Sequence, residues 1–161
     1  MQKLAAVEDA KALMTEAREW SVWRWLMEKG RVREAADRAT DALAEQERKV
    51  KAQWPAALKT AYRARGRPGA GNGKARELDS LTVEAVQKVR KADEVAEAAR
   101  LDAEATFDEA ERRLNAGMAR EGTQKAIASW ELREKAIRKA EALARAQSPS
   151  ITPSVSHSTG A

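Results

Sequence analysis

Glycine and proline, the residues that most disfavour helix, are nearly confined to residues 66–73 and the C-terminal tail. Elsewhere only Gly30, Pro55, Gly117 and Gly122 punctuate the chain. The remainder is rich in alanine, glutamate, lysine, arginine and leucine, the strong helix formers, so residues 1–65 and 77–147 read as two helical arms. GRPGAGNG, residues 66–73, is the one strong loop, and 66–76 reads as a Gly-rich basic connection. The expected fold is all-α: a long antiparallel helical hairpin, a coiled-coil-like rod with arms on the order of 100 Å at about 1.5 Å per residue. The alternative is a shorter helical bundle, its arms broken at Gly30 and at Gly117 or Gly122.

Apolar periodicity supports paired helices. Ala85, Val89, Ala92, Ala96, Ala99, Ala103, Phe107, Ala110, Leu114 and Met118 form one stripe with an average spacing near eleven residues per three turns. In the first arm Val32, Ala36, Ala39, Leu43, Val50, Trp54, Leu58 and Ala61 form another. Stripes so rich in alanine let helices approach closely but bury little area per turn, at about 25 cal/mol per Å². A lone hairpin would be marginal, so self-association or docking on another helical protein is expected.

The stretch EWSVWRWLMEK, residues 19–29, holds Trp20, Trp23 and Trp25. On one continuous helix Trp20 and Trp23 share a stripe with Leu13, Ala17 and Met27, whereas Val22, Trp25 and Leu26 point to the other side. Pairing positions that total about 140 sets Trp20 and Trp23 opposite Ala116–Gly122, and Trp130 opposite Ala10 and Ala12. Trp20 and Trp23 are therefore expected in the core, and Val22, Trp25 and Leu26 at an interface with another copy.

Residue types that carry catalysis are scarce. The chain has no cysteine, and its one histidine, His157, lies in the tail 148–161, whose Ser- and Pro-rich composition reads as disordered. No enzyme, cofactor or metal centre is expected. The carboxylates from Asp93 to Glu111 read as a solvated helix face paired with arginines of the first arm, with attraction of a divalent cation as the lesser alternative. PGAGNGKA fails as a phosphate loop: Pro68 stands where a glycine is needed and Ala75 where a hydroxyl is needed.

The net charge is +5 with a pI near 9.6. From Arg48 to Arg76 there are nine lysines and arginines and no carboxylate, so a fold-back near residue 70 concentrates them at one pole. Nucleic acid and, less favoured, an anionic membrane surface are the partners such a pole would attract. Arg63, Arg65, Arg67, Lys74 and Arg76 are the candidate contacts. Arg65-Gly66-Arg67-Pro68 resembles the core of an AT-hook, with Ala64 in place of the usual preceding proline; the resemblance implies arginines entering the minor groove of A·T-rich DNA. No transmembrane segment or signal peptide is expected, and the sequence reads as cytoplasmic.

Overall fold

The computed structural model describes residues 4–64 and 80–147. Among them are five helices: α1 (Ala5–Ala17), α2 (Val22–Ala52), α3 (Ala56–Ala64), α4 (Ser80–Arg113) and α5 (Ala116–Gln147). The all-α expectation holds, in its bundle form. α2, α4 and α5 make the frame, α1 folds back along α2 and α5, and α3 packs on α4. At 34 residues, α4 spans about 50 Å.

Neither reversal occurs at a glycine. The first lies at residues 18–21, where Ser21 caps α2 by accepting from the Arg24 amide at 3.3 Å. The second is Leu114–Asn115. Asn115 N–H donates to Ala110 O at 3.2 Å and Leu114 N–H to Glu111 O at 3.4 Å, the paired bonds that close a helix around a left-handed residue. That residue is Leu114, at φ 51°, in a role usually taken by glycine. Asn115 then starts α5, its Oδ1 accepting from the Gly117 amide at 2.8 Å. Leu114 is half exposed, so little packing is lost on truncation. Leu114→Gly should therefore stabilise the protein by up to about 1 kcal/mol, read as a melting temperature higher by a few degrees.

The interrupting residues have other jobs. Pro55 opens a fresh helix, α3, its carbonyl accepting from Lys59 N–H at 3.1 Å. Gly122 lets α4 and α5 approach: a Cβ there would lie 3.4 Å from the Phe107 ring and from its backbone nitrogen. Gly30 sits inside α2 with nothing among the described residues within 4 Å of where its Cβ would be, so no close approach there calls for a glycine.

Cross-bundle contacts set the directions. Lys29 meets Glu111, Arg33 meets Asp108 and Lys51 meets Asp93, so α2 runs antiparallel to α4 in the register in which positions total about 140. Trp130 reaches Thr40 and Arg133 reaches Glu47, partners whose numbers rise together, so α5 runs parallel to α2. Both apolar stripes enter the core: Val32, Ala39, Leu43, Val50, Trp54 and Leu58 are buried, as are Val89, Ala96, Ala103, Phe107 and Ala110. At the end of the second stripe, Leu114 is the corner and is exposed. Trp130 is buried and meets Thr40, its indole N–H donating to the hydroxyl at 3.3 Å.

Candidate functional site

The break at residues 18–21 changes which tryptophans face inward. Trp20, directly ahead of the Ser21 cap, is buried at the corner, as expected. Its indole N–H donates to Glu16, the Arg24 guanidinium lies 4.7 Å from its ring centroid, and Arg120 donates to its carbonyl at 3.1 Å. That last bond puts Trp20 beside α5 within Ala116–Gly122. Beyond Ser21 the rotation starts afresh. Trp25 turns into the core, 4% exposed, with its ring stacked on Phe107 at 6.2 Å between centroids. Trp23 turns outward and is 73% exposed, with Met27 at 71% one turn later. Trp23 thus lies outside the core and Trp25 inside it, the reverse of the expected facing, because the expectation carried one unbroken helix through Glu19–Ser21. Of the three candidate interface residues, Val22 is exposed, Leu26 is half-buried, and Trp25 is enclosed by its own chain.

Counting at 100° per residue, Trp23, Met27, Gly30 and Glu34 lie along one line of α2, directly opposite Trp25, Val32 and Ala39. Further along, the same line carries Asp37, Asp41, Glu45 and Arg48, an ordinary solvated helix face. Its first two turns depart from that pattern, presenting two large apolar side chains and a bare glycine to water.

A polar cluster lies at the other end of the bundle, beneath α3. Lys51 Nζ donates to Glu47 and to Asp93, each at 2.7 Å, and to the Tyr62 hydroxyl at 3.0 Å; the Tyr62 hydroxyl donates to Asp93 at 2.6 Å. Arg133 of α5 reaches Glu47 at 3.4 Å, and Tyr62 packs edge-on against Trp54. These groups line a cavity of about 160 Å³. Burial pulls the Lys51 pKa down, but the hydrogen bonds with Asp93, Glu47 and Tyr62 together outweigh it and hold the ammonium above its ordinary range. Burial and the bond to Asp93 push Tyr62 up as well. Through Tyr62 the cluster ties α3 to Lys51 of α2 and Asp93 of α4, and Glu47 carries the network on to Arg133 of α5.

The basic segment divides. Arg63 is exposed near the end of α3; Arg65, Arg67, Lys74 and Arg76, together with the AT-hook-like residues, lie outside the described residues. Upstream, Arg48 and Lys49 pair with Glu45, and Lys51 with Glu47 and Asp93, so carboxylates just outside the run neutralise part of it. The acidic row of α4 is also paired: Glu97 and Glu104 flank Arg100, Asp102 meets Lys125, and Asp108 and Glu111 meet Arg33. The Arg100 bond lowers the Glu97 pKa, and the Lys29 bond lowers that of Glu111. Among the described residues no three His, Cys, Asp or Glu converge to hold a metal ion, and no helix is long and apolar enough to cross a membrane.

Fold and surface together describe an all-helical bundle with an unpaired apolar face at one end. Compared with known protein families, curated proteins and solved structures, the chain matches none.

Proposed function

We propose that this is a non-enzymatic interaction protein of the cytoplasm, a helical bundle that self-associates through the outward face of α2. The observation that carries the reading is Trp23, 73% exposed, followed on the same line by Met27 and by Gly30, whose Cβ position is open. Mid-helix glycine costs roughly 0.5–1 kcal/mol relative to alanine, and nothing among the described residues repays it. A contact from outside would. Trp23 and Gly30 stand two helical turns apart. Two copies crossing antiparallel about a point near Met27 would each place an indole over the other's glycine, a self-complementary pairing of large against small in a coiled-coil-like contact.

The patch is small. Its exposed apolar area is roughly 300–400 Å² per copy, against about 800 Å² per partner in a standard stable interface, so association in the micromolar range is expected. Sedimentation equilibrium across micromolar concentrations should show a monomer–dimer equilibrium. Trp23→Ser should shift it to monomer by tenfold or more, and Gly30→Leu should do the same while helicity is kept, since the side chain meets only open space in the monomer. A monomer at every concentration, or a dimer indifferent to both changes, sinks the proposal.

A second reading, association with nucleic acid, is supported by the carboxylate-free run from Arg48 to Arg76. Binding to duplex or single strands should fall steeply with salt as counterions are released. No binding at low salt ends that reading, and binding only to anionic vesicles would replace it with membrane-surface association.

A further inference from the structure

α4 and α5 lie side by side, and the face they turn away from α2 carries a groove of about 280 Å³. Its floor is apolar, with Val95 of α4 48% exposed beside a half-buried Leu132 of α5. Its rim holds four lysines, Lys88 and Lys91 from α4 and Lys135 and Lys139 from α5, and no carboxylate lines it. Among the described residues only Lys88 of these four has an ion-pair partner, Glu84 at 2.8 Å. Most of the other cations among the described residues are matched within the fold, as the α2–α4 and Arg100 pairs illustrate. Here Lys91 on one bank and Lys135 and Lys139 on the other stand beside an apolar channel without a matching anion among the described residues.

We propose that this groove docks an acidic amphipathic helix of a partner protein, whose apolar stripe lies on Val95 and Leu132 and whose flanking carboxylates meet Lys91, Lys135 and Lys139. Charge complementarity selects the occupant's sign, and the floor selects its kind. A phosphate polymer has charge for the rim but nothing to bury on Val95, whereas a helix with carboxylates on either side of an apolar stripe satisfies both at once. The channel between two helices is also the position in which a further helix extends a bundle. The lysine stems lie along the sides of such a helix while their ammonium groups reach its carboxylates. This surface is separate from the Trp23 line on α2, so either proposal can fail without the other.

The test uses the full chain and a synthetic helical peptide of about 18 residues, leucines at i, i+3, i+4 and i+7 flanked by glutamates. Its control is the same peptide with lysines for the glutamates. Fluorescence anisotropy should show the acidic peptide binding at least tenfold tighter than the basic one. Lys91→Glu/Lys135→Glu/Lys139→Glu should reverse that order, and Val95→Asp should weaken the acidic peptide at least tenfold; Trp23→Ser should leave binding unchanged. All of the altered positions are exposed, so circular dichroism should report intact helicity. Equal binding of both peptides overturns the proposal. So does acidic-peptide binding that ignores Val95→Asp and is competed away by single-stranded DNA or by vesicles containing phosphatidylserine, since that result marks a general anion surface.

Discussion

Replacing Trp25 with alanine should cost about 3–5 kcal/mol, a large share of the roughly 5–15 kcal/mol that holds a domain together. The indole lies in the bundle interior, stacked on Phe107, where α2 meets α4. Deleting it leaves a void that long helices, packed along their whole length, close poorly by shifting. The melting temperature should fall by on the order of 10 °C, with helicity lost at temperatures where the parent chain is folded. Trp25→Phe separates packing from polarity. Trp25 Nε1–H is buried and has no acceptor among the described residues, so phenylalanine gives up some volume but also removes an unsatisfied donor whose burial costs about 1–3 kcal/mol. The phenylalanine variant should therefore lie within about 1.5 kcal/mol of the parent chain. Thermal melts followed by circular dichroism check both, and an alanine variant as stable as the parent would remove Trp25 from the core.

The second large effect is expected at Asp93. Its carboxylate accepts from both Lys51 and Tyr62, so Asp93→Ala leaves a largely buried ammonium with Glu47 as its one remaining acidic partner and a phenol without its acceptor. Breaking a fully buried pair costs about 3–5 kcal/mol; with about a fifth of each side chain still in contact with water, about 2–3 kcal/mol is expected. The loss should be local before it is global. Hydrogen exchange should show amides of Ala56–Ala64 losing protection first, because Tyr62 and Leu58 are what bind α3 to the frame. Tyr62→Phe, which removes one hydroxyl, should cost about 1 kcal/mol. The Lys51 contribution has a definite pH window. Its folded-state pKa is raised, so the stabilisation is fully present below the ordinary lysine range and is lost only as pH climbs from there toward the folded value; near neutrality it does not titrate.

Much of this architecture was legible in the sequence. Helix content followed from alanine and charged residues without glycine or proline, and eleven of the eighteen positions on the two stripes are buried, because burial repeats with the helical turn wherever a helix is continuous; the buried faces of α1 and α5 lay on neither stripe. What escaped was where helices stop. Ser21 was a readable cap, a serine directly ahead of an apolar run, although it lacks the glutamate three positions later that would have made the signal stronger. Leu114 gave none, since leucine has no preference for the left-handed conformation it adopts. The glycines misled for the opposite reason. At Gly122 the missing side chain serves close packing within a helix, not a break. A missed break also displaces everything after it: once Ser21 restarts α2, Trp23 and Trp25 change places. The Lys51–Tyr62–Asp93 cluster and the lysine-rimmed groove were illegible for another reason. Each joins residues from different helices, and their neighbourhood exists only after the packing register is fixed.

The placement of the indoles also makes the molecule its own optical probe. Trp20, Trp25, Trp54 and Trp130 are buried, and Trp23 alone among the five tryptophans stands in water. Intrinsic emission therefore divides into four emitters shielded from a dissolved quencher such as iodide and one open to it. The open one sits on the surface through which the copies are proposed to meet, so the quenchable fraction should shrink as the chain is concentrated, reporting encounter without any attached dye.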